Sequence, residues 1–488
     1  MMQRKRNQGS VRDAAGVMFA VLTDDECARI VSTAVDLLHR VGARFWEPEA
    51  LRILKTAGCR IEDGIRVLFP PALVHEMIAL APGRFTLFTR EGKPAVEVGS
   101  GRAYFGPGPT CPNFIDPVTK ERRPFLKRDA ALTARVCDAL PNIDYVMSLG
   151  SVSDVPQNRA DVHEFDAMVR ETTKPIMSWS FSQDALSLLH RMCAAIKGSA
   201  EKSELEPFMI FYAEPTSPLR HSAEASQKLI YCATHRIPIV YTPCPIAGAT
   251  APATLAGVLV QNLAETLSGL VLCQLVRKGA PMVVGGVVSI LDMRTTILSY
   301  GAPELSLLSA AATDVARHLG LPMFSTAGCT DAKLLDEQAA AEATLSVAIA
   351  ALSRADLVHD VGFIESAMTG SLGQLVMCDE LIGMARHVAR GIRVDDDTLA
   401  AKVIAEGAKG GDYLTLDHTA DNFRREFWFP RLMDRRRYGE WAADSRKRMT
   451  DRVWEMVAKI LAEHHPPALD ARSRHALDKI MRDERQSK

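Results

Sequence analysis

Between residues 102 and 391 the chain alternates, eight times over, a short apolar run with a longer segment of helical period. The runs are RAYFG, YVMSLGSV, PIMSWSF, FMIFYAE, PIVYTP, PMVVGGVVS, PMFSTAG and LVHDVGF, four of them opening after a Pro or Gly break. Their length and apolar character suit buried strands. The segments between and after them are dominated by Ala, Leu and Glu and several begin after Ser, Asp or Asn, the residues that cap helices. Eight such pairs in roughly 290 residues match an α/β fold of the (β/α)8 TIM-barrel type in count and in length. An open doubly wound sheet is the competitor, because alternation alone does not show closure.

The barrel is expected over residues 101–394. Residues 1–100 read as an N-terminal arm and helical cap, with a helix at Asp24 to Arg40 and a hairpin around ALAPGRFTLFTREG that closes one barrel end. The opening MMQRKRNQGS is basic but lacks the apolar core of a secretory signal, so it reads as a frayed arm. Residues 395–488 read as a charged C-terminal helical extension, through RREFWFPRLMDRRRYGEW and the amphipathic DSRKRMTDRVWEMVAKILAEH, packed on the barrel with a solvated outer face.

Composition names no macromolecular partner. An apolar fraction of 47%, a charged fraction of 24% and a formal charge of -1 carry no whole-chain bias toward nucleic acid or acidic lipid. The most hydrophobic region, residues 255–290, holds Gln261, Asn262, Glu265, Gln274, Arg277 and Lys278, too many polar groups for a membrane span. Ten cysteines without a CxxC pair point to reduced thiols and a cytoplasmic protein.

In a (β/α)8 enzyme the chemistry lies where the strands end at their C-terminal side. That rule collects GPGPTCPN after the first run and residues 151–154 after the second. Aromatic residues Phe105, Trp179, Phe181, Tyr212 and Tyr241 stand near the ends of four strands in a chain with 6% aromatics; rings gathered at one mouth hold a cation by their negative faces. Glu214 opens the polar EPTSP after strand four. Strands seven and eight deliver Asp331, His359, Asp360 and Glu365. His359, when protonated, suits a substrate carboxylate, and the three acids suit hydrogen bonding or loop support. No lysine ends a strand, which argues against Schiff-base chemistry, and HExxH, Walker A and GxGxxG are absent. Cys111, Cys244 and Cys329 all follow strands, so a zinc-thiolate transferase is a second reading. Their scattered spacing and few histidines lead us to expect no bound metal. A non-catalytic quaternary-amine binding protein is a third.

EPTSPL, STAGCTDAKLLDEQAAAE and LVHDVGFIESAMTGS together resemble the trimethylamine:corrinoid methyltransferase (MttB-like) family, over nearly the whole chain. The resemblance implies a barrel that passes a methyl group from a methylated amine to the cobalt of a corrinoid (cobalamin) carried by a separate small corrinoid-binding protein. Archaeal members carry pyrrolysine near the region matching TDAKLLDEQ, with Leu334 as the equivalent here, so this chain looks like the non-pyrrolysine branch. Glycine betaine and related quaternary amines are then the implied substrates. A quaternary nitrogen leaves as a neutral amine, so such an enzyme needs positioning, a dry pocket and a cation-tolerant wall rather than a strong acid or nucleophile. A corrinoid domain usually carries DxHxxG; the nearest approach, DVHEFD at Asp161 to Asp166, ends in Asp and reads as the surface of a helix. The expected partners are therefore the corrinoid protein and a small quaternary amine, without nucleic acid or membrane, in a homo-oligomer.

Overall fold

The computed structural model describes residues 16–486; the basic arm MMQRKRNQGS lies outside the described residues. Eight parallel strand positions follow the eight apolar runs: β1 (Tyr104–Phe105), β2 (residues 144–149), β3 (Ile176–Ser178), β4 (Met209–Ala213), β5 (Ile239–Tyr241), β6 (Met282–Gly285), β7 (Met323–Thr326) and β8 (Leu357–His359). Seven are joined by ladders in the order β1-β8-β7-β6-β5-β4-β3. The remaining gap is filled by β2. Met177 donates its backbone N–H to Val146 at 2.8 Å on one side, while Asp144 donates to Phe105 at 2.7 Å and Leu149 to Gly108 at 2.8 Å on the other. The sheet therefore closes on itself, and the open-sheet alternative falls.

The helices α1 (Lys127–Ala139), α2 (Ala160–Arg170), α3 (Gln183–Lys197), α4 (Ala223–Thr234), α5 (Leu255–Val276), α6 (Pro303–Leu319), α7 (Glu337–Ser353) and α8 (Leu372–Ala389) follow their strands in turn. Ser182, Ser222, Asp336 and Ser371 cap four of them by accepting a backbone N–H in the first turn, which is why those segments start where they do. α5 is long and apolar enough to cross a membrane by length and composition, but most of it is buried in the protein. It lies between the barrel and the N-terminal helices Asp24–Arg40, Pro48–Thr56 and Pro71–Leu80, and a helix covered on both sides must be apolar nearly all round.

Alternation along each strand sorts side chains between two cores. Tyr104, Tyr145, Met147, Met177, Ile210, Tyr212, Val240, Val283, Phe324 and Leu357 form the barrel interior; their neighbours Phe105, Val146, Ile176, Phe211 and Tyr241 face the helix layer. The hairpin Phe85–Phe88 and Pro94–Val98 plugs the N-terminal mouth. Its Leu87, Val96 and Val98 join the interior cluster, and Phe88 donates its N–H to Pro207, just before β4, at 2.9 Å. At the far end of the chain, helix Met449–Glu463 packs on α8 and α1 through a buried Val453, Val457 and Ile460, and Ala471–Gln486 packs on α3. With one mouth stoppered, the C-terminal mouth is the way into the barrel.

Candidate active site

A cavity of about 450 Å³ opens at that mouth, lined by residues of the loops after β1, β3, β4, β5, β6 and β8 and by Lys228 of α4. Trp179 and Phe181 form one wall, their rings 4.7 Å apart and edge to face at 75°. Tyr212, Tyr300 and Phe363 supply further ring faces. Two carboxylates look into this aromatic chamber, Glu214 and Asp360. A cation meets ring quadrupoles and negative charge from several sides here, the arrangement that favours a quaternary ammonium.

The Tyr212 hydroxyl donates to Glu214 Oε1. Glu214 stays open to the cavity, yet the protein packed around it pushes its carboxyl above the usual range, with the Tyr212 hydrogen bond opposing that rise. Asp360 is 1% exposed and neither of its carboxylate oxygens receives a hydrogen bond from any described residue. His359 Nδ1 lies 2.9 Å from Asp360 Oδ1 but off the line of a hydrogen bond, while its Nε2 meets Thr326 Oγ1 at 2.9 Å. Asp360 also sits at φ 70°, a left-handed conformation that costs a residue with a Cβ. A buried, undonated carboxylate on strained backbone is expensive to keep.

Gly108 makes the room for it. A Cβ there would fall 2.1 Å from Asp360 Oδ1 and 2.3 Å from the Phe363 ring. Gly108→Ala should therefore displace the carboxylate and destabilise the fold by about 1–2 kcal/mol through overpacking. Thermal unfolding with and without a trimethylammonium ligand checks this; an unchanged melting temperature and affinity would refute the close fit.

Of the residues singled out from the sequence, Trp179, Phe181, Tyr212, Glu214, His359 and Asp360 meet in this cavity. Phe105 and Tyr241 do not, because their strand parity turns them to the helix layer. Phe105 lies there under Arg386, 5.5 Å from ring to guanidinium, and Tyr241 bonds His221 Nδ1 at 2.8 Å. Leu334 is 68% exposed on the loop after β7 and outside the cavity. Asp331 and Glu365 hold loops. Asp331 accepts from Ser299, from Tyr300 N at 2.8 Å and from Ser366 Oγ at 2.7 Å, which fixes Tyr300 in the wall. Glu365 pairs with Arg122 at 2.9 Å.

Among the cysteines, Cys244 lines the cavity, where burial, with Glu214 and Asp360 nearby, pushes its thiol pKa up. Such a group stays a thiol rather than a thiolate nucleophile. Cys111 and Cys329 are fully buried and not part of the lining. Among the described residues no three His, Cys, Asp or Glu side chains converge as metal ligands do.

The reading of DVHEFD as a helix surface is corrected. Asp161, His163, Glu164 and Asp166 on α2 are all buried, because α2 is covered by α1, α3 and the barrel. Glu164 accepts from the Trp179 indole Nε1 at 3.0 Å and from Val152 N at 3.1 Å. Asp161 accepts from Phe181 N at 2.8 Å. Burial pushes the Glu164 carboxyl up to about 8, against the pull of its donors.

Two lining residues carried no sequence signal as site residues. Lys228 lies on a helix rather than at a strand end; its Nζ donates to Ser180 O at 2.7 Å, and burial lowers its pKa. Tyr300 follows a hairpin, Ser289–Asp292 with Ile297–Ser299, inserted between β6 and α6. Val287 could have been found by counting in twos from the inward Val283.

The chain is similar to known proteins along nearly its whole length. The profile of the family described as trimethylamine methyltransferase (MTTB) matches residues 3–487. A trimethylamine methyltransferase MttB of Desulfitobacterium hafniense is 31% identical over 467 residues, covering 96% of this chain and 94% of its own. One from Methanosarcina thermophila is 32% identical over 465 residues, covering 93% and 95%. A glycine betaine methyltransferase of Desulfitobacterium hafniense is 29% identical over 458 residues, covering 93% and 94%. Among solved structures, the monomethylamine methyltransferase MtmB of Methanosarcina barkeri aligns over 97% of this chain and 96% of its own with a TM-score of 0.47 and 13% identity.

Proposed function

The chain belongs to the trimethylamine methyltransferase (MTTB) family, whose named relatives are methyltransferases, and from that premise we propose that it moves a methyl group from a quaternary amine to the Co(I) of a corrinoid carried by a partner protein. The observation that carries the choice of a quaternary amine is the chamber itself: ring faces of Trp179, Phe181, Tyr212 and Tyr300 together with the carboxylates of Glu214 and Asp360. Such a lining binds a fixed cation.

In the proposed reaction the methyl carbon bonds to cobalt as its bond to nitrogen breaks, and the electron pair of that bond stays on nitrogen, which leaves as a neutral tertiary amine. The work of this chain is to bind, to orient one methyl toward the open mouth and to exclude water. Asp360 and the rings take the ammonium. Lys228 takes a substrate carboxylate, since its Nζ spends one donor on Ser180 and keeps the others. Its place beside β4, across the ring from β8 and Asp360, fits a zwitterion such as glycine betaine. His359, flanked by Asp360 and Thr326, belongs to the cation end in this reading. The buried cysteines are compatible with a reducing cytoplasm, where such chemistry belongs.

Incubation with reduced Co(I) cobalamin and a panel of glycine betaine, carnitine, choline, proline betaine and trimethylamine, following the cobalt spectrum, tests the assignment. Methylation from one of the quaternary amines is expected; turnover of trimethylamine alone, or of nothing, rejects it. Lys228→Met should cost about 10-fold in affinity for a carboxylated substrate, the worth of one charge-assisted bond, while choline is unaffected. An equal loss for both would remove Lys228 from the carboxylate end.

A further inference from the structure

The segment Trp179, Ser180 and Phe181 is tethered residue by residue. Glu164 holds the Trp179 indole N–H at 3.0 Å, Lys228 holds the Ser180 carbonyl at 2.7 Å, and Asp161 holds the Phe181 N–H at 2.8 Å. Asp161 and Glu164 stand three residues apart on α2, so they share one face of that helix. Both are 1% exposed. A buried carboxylate costs several kcal/mol unless its partners compensate, and packing alone would be served by an apolar residue. What surrounds Glu164 explains the choice: the Trp179 indole N–H donates to its Oε2 and the Val152 N–H to its Oε1. Both are donors only. A carboxylate accepts one on each oxygen; an amide would turn its NH₂ toward one of them.

We infer that Glu164 is a positioning residue that orients and electronically enriches the Trp179 ring, so that this indole binds a quaternary ammonium more strongly than an ordinary tryptophan would. An anion accepting the indole N–H pushes electron density onto the ring, and the attraction of a cation for a ring face grows with that density; because burial raises the Glu164 carboxyl to about 8, this enrichment is present above that pH and fades below it. The inference rests on the reading of the cavity as a quaternary-ammonium site. It adds a residue that touches no substrate and a mechanism by which it acts.

A structural support and an electronic one are separated by a pair of ligands of equal shape. Glycine betaine and 3,3-dimethylbutyrate differ only in a cationic nitrogen replaced by carbon, and calorimetry gives Kd for each. At pH 9, where Glu164 is ionised, Glu164→Gln should weaken glycine betaine about 3- to 10-fold and change 3,3-dimethylbutyrate less than about 2-fold. In a Trp179→Phe background, where no indole N–H remains, the same substitution should no longer alter the ratio of the two constants; such a cycle isolates the pair. Equal weakening of both ligands by Glu164→Gln makes it a packing residue and overturns the inference. So does a ratio of the two constants that is unchanged in Glu164→Gln. A wild-type protein that does not prefer glycine betaine over its carbon analogue overturns the quaternary-amine reading, and this inference with it.

Discussion

Asp360→Asn should weaken binding of a quaternary ammonium by about 2–4 kcal/mol, roughly 30- to 1,000-fold, as expected when one member of a buried charge pair is neutralised. The same substitution should raise the melting temperature of the ligand-free protein. Asp360 is buried and accepts no hydrogen bond at either oxygen, its one close polar neighbour being His359 Nδ1 at 2.9 Å and off the hydrogen-bond line, so a charge there is poorly compensated until a cation arrives, and an amide relieves it. Asn also tolerates the backbone at φ 70° better than most residues, so the exchange adds no strain of its own. The opposite signs are the point of the experiment. Calorimetry with a trimethylammonium ligand and thermal unfolding without it measure the two halves. Loss of stability together with unchanged affinity would mean that Asp360 serves the fold, and the cation would have to be held by Glu214 and the rings alone.

Trp179→Leu and Tyr212→Leu should each weaken the ammonium by ~1–2 kcal/mol, or about 5- to 30-fold, the worth of a partly desolvated cation and ring contact. Together they should cost roughly 25- to 900-fold if the two rings act independently. Leu retains bulk and removes the quadrupole, so the neutral analogue 3,3-dimethylbutyrate should hold its affinity. Trp179 carries the added consequence of leaving Glu164 without its indole donor, so Trp179→Leu should destabilise the protein as well. Tyr212→Leu frees Glu214 from its phenol and, because Tyr212 belongs to the buried barrel interior, should destabilise the protein through the cavity it leaves. Methyl transfer to Co(I) cobalamin at saturating substrate distinguishes lost binding from lost orientation. Parent-like affinity and rate in the double variant would show that these rings only pack.

The barrel was legible because eight buried strands and eight covering helices impose two different apolar periods, and those periods survive in a single sequence. Asp24–Arg40, the hairpin at Phe85–Phe88 and Pro94–Val98, and all eight barrel helices stand within a few residues of where the alternation put them. Closure was not legible in the same way. It depends on β2, where residues 144–149 hydrogen-bond to both neighbours without forming a regular ladder. The site was legible only to the level of strand ends. Nearness to a C-terminal end selected Tyr212 and Tyr241 alike, yet Tyr212 lines the cavity and Tyr241 stacks on His221 at 5.9 Å in the helix layer. A count in twos from the inward Val240 would have rejected Tyr241.

DVHEFD shows where local pattern fails altogether. Three acids and a histidine in six residues describe a solvated face by composition, because burying charge is costly. Here the cost is met largely by partners outside the helix: Trp179 and Val152 for Glu164, Phe181 for Asp161 and Lys127 for Asp166. Periodicity and the family motifs, properties of neighbouring residues, by themselves determined the fold class and the family. Which rings face inward, that Lys228 reaches the mouth from a helix, that Gly108 makes space for an undonated Asp360, and that Glu164 is buried beneath Trp179 were decided only by the closed barrel. Each of those facts concerns groups brought together from separate strands and helices, and only tertiary packing sets their spacing.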